Sequence, residues 1–174
     1  MRAIVCPRYG PPDILQLREV EKPIPEENEV LIRVRAASVT TGDCEFRSLK
    51  LPFAWKLLIR IGFGIRRPRK KVIGRDLSGT IETVGSAVTR FKMGDSVFAN
   101  TGLRLGAWAE YCALPETGLI ATKPANMTHE EAAAVPAGGL HALHLLRKAS
   151  IRSGQKVLII GGGRNGRYHS SATG

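Results

Sequence analysis

Three glycines close to the end of the chain carry the clearest chemical signal. Gly161, Gly163 and Gly166 form a G-x-G-x-x-G pattern directly after residues 156–160, an apolar run that reads as a buried strand. Glycines at this spacing let a backbone turn tightly against a pyrophosphate, which the next helix holds with its free N–H groups and its dipole. Here the pattern stops short. Residues 167–174 (Arg-Tyr-His-Ser-Ser-Ala-Thr-Gly) support no amphipathic helix. No acidic residue about 20 positions on is present to meet a ribose. The cofactor-binding turn is therefore expected to be incomplete, and residues 164–174 read as an aberrant tail. A shift of reading frame at Arg164 would account for it, since codons permitted by the tail spell a glycine turn and an apolar helix when read one base later.

Other reactive side chains point less far. The net charge is +11, and much of it sits in Arg60, Arg66, Arg67, Arg69, Lys70, Lys71 and Arg75. Such a run could meet an anionic substrate, a cofactor phosphate or nucleic acid. No aromatics for base stacking are interleaved with it, so nucleic acid is disfavoured and a solvated loop is expected. His141 and His144 are spaced for one helix face, but no third metal ligand lies near them in sequence. They read as packed or solvated. Cys44 has no histidine near it in sequence to activate it. Cys6, Cys44 and Cys112 are odd in number and far apart, which suits free thiols in a reducing compartment, so a cytoplasmic location is expected. No run approaches the ~18 apolar residues of a membrane span, the first residues lack the apolar core of a leader, and no membrane partner is expected.

The elements that must position these groups change character along the chain. Residues 2–6, 15–20, 29–39, 79–84, 96–99 and 107–114 read as short strands separated by proline and glycine turns, the spacing of a small barrel. The 29–39 strand puts Val30, Ile32 and Val34 on one face. Residues 43–49 suggest a helical turn, and residues 53–61 a helix ended by Gly62 and Gly64. The period then becomes helical. Thr128 and Glu131 form a capping box, Pro136 is expected to break the helix, and residues 137–149 resume it. Ser153-Gly154-Gln155 turns the chain into the terminal strand.

Four segments appear in an order that resembles a known family: Val72-Ile73-Gly74-Arg75-Asp76-Leu77-Ser78-Gly79, Phe91-Lys92-Met93-Gly94-Asp95-Ser96-Val97-Phe98, Gly106-Ala107-Trp108-Ala109-Glu110-Tyr111 and Ala132-Ala133-Ala134-Val135-Pro136. The chain resembles the medium-chain dehydrogenase/reductase superfamily over about residues 1–163, and within it the zinc-free branch similar to quinone oxidoreductases. The resemblance implies a mixed α+β fold. A GroES-like, partly open β-barrel catalytic domain would fill residues 1–125, with a linking helical segment over 126–150. The first strand and glycine turn of a Rossmann domain would follow over 151–163, then the aberrant tail over 164–174. On this reading the chain is a truncated member.

The resemblance also implies roles. The zinc-dependent branch places metal ligands where this sequence has Thr40, Arg75 and about Ala137, none of which binds zinc, so no zinc is expected. Thr40 and Asp43 follow the third strand, where the family lines its substrate cleft. A hydroxyl there can orient a carbonyl and help pass a proton. The competing expectation is that Thr40 satisfies backbone groups and Asp43 caps the next helix. The implied activity is hydride transfer between NAD(P)(H) and a small carbonyl, enone or quinone, with Gly161, Gly163 and Gly166 as an incomplete cofactor site. The fragment itself is expected to bind no NADP or NAD and to be inactive. The alternatives are a non-catalytic GroES-like interaction module, associating with itself or a full-length partner, and a basic nucleic-acid binder.

Overall fold

The computed structural model describes residues 1–158. Its centre is a five-stranded antiparallel sheet in the order β6-β3-β4-β5-β7, formed by Tyr111–Pro115, Glu29–Ala37, Asp76–Val84, Ser96–Asn100 and Leu119–Thr122. β1 (Arg2–Val5) and β2 (Gln16–Glu19) make a separate antiparallel pair. Isolated bridges from Ala3 to Ala109 and from Val5 to Val72 tie this pair to the segments that lead into β6 and β4. The long central pair β3 and β4 slips register twice, between Leu31 and Ile32 and between Val34 and Ala36. Each slip bends and twists the pair, and the sheet curls into the partly open barrel expected of a GroES-like domain.

Val30, Ile32, Leu77, Ile81, Val97 and Leu114 meet inside the curl as the main core. A smaller cluster of Cys6, Ile14, Ile73 and Leu105 lies under the β1–β2 pair, and Trp108 packs against both clusters. Gly74 makes that contact possible. Its φ is +92°, and a Cβ there would collide with the Trp108 ring.

Several expectations are refined. β4 begins at Asp76 rather than 79, because Ser38 N–H donates to the Asp76 carbonyl at 3.1 Å and extends the ladder. Residues 107–110 are not a ladder strand. Their backbone bonds with Gly74, Ile73, Ile4 and Arg2, and β6 starts only at Tyr111. The apolar and polar residues of 15–20 alternate as in a half-buried strand, yet all four residues of β2 are exposed. β7 was not foreseen, because only four residues mark it, between a Gly118 turn and Lys123.

The helices are α1 (Thr41–Ser48), α2 (Phe53–Phe63), α3 (His129–Ala134) and α4 (Pro136–Lys148). α2 runs through Gly62 and closes at Gly64. Pro136 separates α3 from α4 by serving as the first residue of the new helix, where its missing N–H is harmless. After the turn at Ser153 and Gly154, Lys156, Val157 and Leu158 are exposed and in no strand. Ile160 and the glycines Gly161, Gly163 and Gly166 lie outside the described residues.

Candidate active site

α1 begins at the end of β3, and the residues that start it build the site. Thr40 is the N-cap, and the capping box is complete. Asp43 N–H donates to Thr40 Oγ1 at 3.3 Å, and Thr40 N–H donates to Asp43 Oδ2 at 2.9 Å. The Thr40 hydroxyl also donates to Asp43 Oδ2, at 2.7 Å. Asp43 is only 2% exposed. Its second oxygen, Oδ1, accepts from Arg75 Nε at 3.3 Å. The carboxylate thus joins the start of α1 to the start of β4.

Arg75 lies over the first turn of α1. A Cβ at Gly42 would collide with its guanidinium, so glycine is what allows the approach. A cation above a helix N-terminus opposes the helix dipole, and Asp43 is the charge that holds it there. The Arg75 side chain is 36% exposed. Among the described residues its terminal nitrogens make no hydrogen bond, so they remain available as donors.

Asp76 is the next residue, and it is buried. Asn100 Nδ2 donates to its Oδ1, and the backbone at Ala137 faces the same carboxyl. Burial pushes the Asp76 carboxyl above the usual range, the Asn100 hydrogen bond and the Ala137 backbone work against that shift, and the nearby Asp43 charge adds to it. Thr101 N–H donates to the Arg75 carbonyl at 2.7 Å, and Trp108 Nε1 donates to the Ser38 carbonyl at 3.0 Å. The linking helices are held from the same strand. Ser78 Oγ donates to the Val97 carbonyl at 2.8 Å and sits 2.8 Å from His129 Nδ1.

Of the three positions singled out in the sequence, Thr40, Arg75 and Ala137, the first two therefore meet at Asp43. Thr40 and Arg75 share Asp43, and Ala137 reaches the neighbouring Asp76. Asp43 takes part in the helix cap and in the ion pair together. Asp76 and Asn100 were not singled out, and the only sequence signal for them was Asp76 within the Gly74-Arg75-Asp76 segment. His141 and His144 are exposed on α4. Among the described residues no group of three or more His, Cys, Asp or Glu is placed to hold a metal ion. Cys44 is exposed, while Cys6 and Cys112 are buried. Burial pushes the Cys112 thiol up to about 12, with the Glu29 charge adding to the shift.

Beside the site lies a largely apolar groove of about 720 Å³, lined by Val34, Ala36, Val39, Cys44 and Trp108 among others. Thr40 adjoins this groove in sequence, next to Val39, and neither Thr40 nor Arg75 lines it.

Residues 26–125 match the family model of the alcohol dehydrogenase GroES-like domain. The chain is 35% identical over 164 residues to a quinone oxidoreductase of Lama guanicoe, covering 92% of this chain and 45% of that protein. It is 33% identical over 170 residues to a 2-methylene-furan-3-one reductase of Solanum lycopersicum, covering 93% of this chain and 41% of the relative. The crystal structure of the Escherichia coli quinone oxidoreductase complexed with NADPH superposes with a TM-score of 0.70 at 28% identity, covering 86% of this chain and 41% of that one. The chain thus spans less than half the length of the relatives it matches. The family model covers more than half of this chain, including the curled sheet, Thr40 and Arg75, and so the chain belongs to the alcohol dehydrogenase GroES-like domain family of the medium-chain dehydrogenase/reductase superfamily.

Proposed function

We propose that this chain is the substrate-orienting portion of a zinc-independent NAD(P)H-dependent oxidoreductase that reduces a small carbonyl, enone or quinone. The observation that carries the reading is the Thr40–Asp43–Arg75 arrangement. Where the zinc-dependent branch would hold a metal, this chain has a fixed cation with free N–H donors. The nicotinamide cofactor, when bound, supplies the hydride. Arg75 donates hydrogen bonds to the substrate oxygen and favours the negative charge that develops there, the role of a preorganised electrostatic donor. Asp43 keeps the guanidinium in place. The Thr40 hydroxyl, which donates to Asp43 Oδ2 at 2.7 Å, relays a proton to the substrate oxygen by turning from the carboxylate to give its hydrogen and regaining one from water. The groove beside α1 is apolar enough to take the body of a quinone or enone. Gly161, Gly163 and Gly166 are the residues that would approach the cofactor pyrophosphate.

The 174-residue chain assayed alone is expected to show no turnover, since it spans less than half the length of the relatives. The test is therefore a chimera joining this chain to the remaining length of the llama quinone oxidoreductase. It is expected to oxidise NADPH with a small quinone in the presence of a chelator, and to lose most of that rate with Arg75→Met. A chimera that binds NADPH but turns over only with added zinc, or whose rate ignores Arg75, contradicts the proposal.

A further inference from the structure

α2 is built inside out. Its less exposed residues are Lys56, Ile59, Arg60 and Phe63, which fall on one side at about 100° per residue. That side packs on the body. The Phe63 ring meets Phe46 edge-on, with centroids 5.1 Å apart, and Arg60 Nε is buried there without a hydrogen-bond partner. Both cations of the helix therefore lie on its inner side. The outer side carries Phe53, Trp55, Leu57, Leu58 and Ile61, continued by Ile65 after the helix. Phe53 is 80% exposed and Ile65 is 69% exposed. A surface helix ordinarily does the reverse, and a contiguous apolar face of this kind marks an interaction site.

The surroundings say what would cover it. Residues 48–74 hold eight Lys or Arg and no Asp or Glu. Arg66, Arg67, Arg69, Lys70 and Lys71 follow the helix directly, and all five are exposed. A second copy would bring its own eight cations against these. Nucleic acid would answer the charge but not bury five large apolar side chains. An anionic bilayer answers both, with acyl chains for the helix and lipid phosphates and carboxylates for the basic loop.

We propose that α2 and the loop after it are a docking surface for an anionic lipid bilayer, with the helix lying in the plane of the interface. No helix among the described residues is long and apolar enough to cross a membrane, so the association is with the surface. The expectation of a solvated basic loop without a membrane partner did not foresee the outward apolar face beside it.

The experiment is co-sedimentation of the 174-residue chain with large vesicles of phosphatidylcholine alone or with about a third phosphatidylserine. Binding is expected to be at least about 10-fold tighter on the anionic vesicles and to weaken as salt rises. Trp55 emission is expected to move to shorter wavelength on binding, a shift that Trp55→Phe removes. Leu58→Asp is expected to weaken binding by about 10-fold or more, and so is the pair Arg66→Ser with Arg67→Ser. Leu145→Asp, on the exposed side of α4, is expected to leave binding unchanged. Far-UV circular dichroism checks that each variant is folded. Equal affinity for both vesicle types overturns the proposal, as does a folded Leu58→Asp chain that binds like wild type. So does sedimentation equilibrium showing a dimer that Ile61→Asp dissociates while vesicles fail to bind.

Discussion

Replacing Asp43 with alanine should cost more than any surface substitution, because one buried carboxylate serves both a helix start and an ion pair. The lost capping box is worth about 1 kcal/mol. Thr40 Oγ1–H, 2.7 Å from the carboxylate, then loses an ionised acceptor, worth roughly half a kcal/mol beyond the cap itself. The pair with Arg75 lies between two regimes. Asp43 is buried, whereas the Arg75 side chain is 36% exposed, so the several kcal/mol of a fully buried pair are discounted to about 1.5 kcal/mol. Asp43→Ala is therefore expected to destabilise by about 3 kcal/mol, a fall of roughly 6–12 °C in Tm for a chain of this length. Asp43→Asn keeps an acceptor oxygen and loses only the charge, about 1.5 kcal/mol. Urea unfolding of wild type, Asp43→Ala, Arg75→Met and the double variant measures this directly, and the cycle should give a coupling of about 1.5 kcal/mol. A loss within the ±0.5 kcal/mol of an ordinary surface change, or strictly additive single variants, would refute the argument.

Other outcomes follow from single contacts. Gly74→Ala sets a Cβ against the Trp108 ring at a φ of +92°, and should cost about 3 kcal/mol in urea unfolding with a change in Trp108 emission. Asp76 is a carboxyl whose folded pKa is raised by burial. The folded state holds its proton longer than the unfolded state, so its contribution to stability is full below the ordinary aspartate value of 3.8 and falls as pH rises through the folded value. Asp76→Asn should remove that decline, seen as a wild-type-minus-variant difference in urea midpoints that changes across this window and is flat above it. Of the three thiols only Cys44 is exposed, so a mild thiol reagent should label one group in the native chain and three in urea. Rapid native labelling of Cys112, whose thiol burial pushes up to about 12, would contradict the packing described.

Much of the architecture was written locally. The alternation of Val30, Ile32 and Val34, the turns at Gly85 and Gly94, and the Thr128–Glu131 box are short-range signals, and each marks an element of the structure. What escaped depends on contacts between distant segments. β7 is four residues long and is defined by pairing with β5. Residues 107–110 look like a strand but divide their hydrogen bonds among three different segments. The site was legible in part. Thr40 and Asp43 were noticed because they follow a strand and start a helix, yet the tie from Asp43 to Arg75 spans 32 residues, and nothing local announces it. Asp76 with Asn100 escaped for the same reason. In α2 the helix was legible from its apolar run, but which side faces the body was not, because its cations point against the usual rule.

The most direct test of the central claim is to map where a quinone contacts this chain. Amide resonances of the 15N-labelled 174-residue protein would be followed during titration with menadione in the presence of a chelator. The account predicts saturable shifts centred on Thr40, Asp43, Arg75 and Ala137 and on the Val39–Cys44 side of the apolar groove, and their loss with Arg75→Met. Shifts confined to α2 or α4, or a pattern that Arg75→Met leaves unchanged, would contradict it.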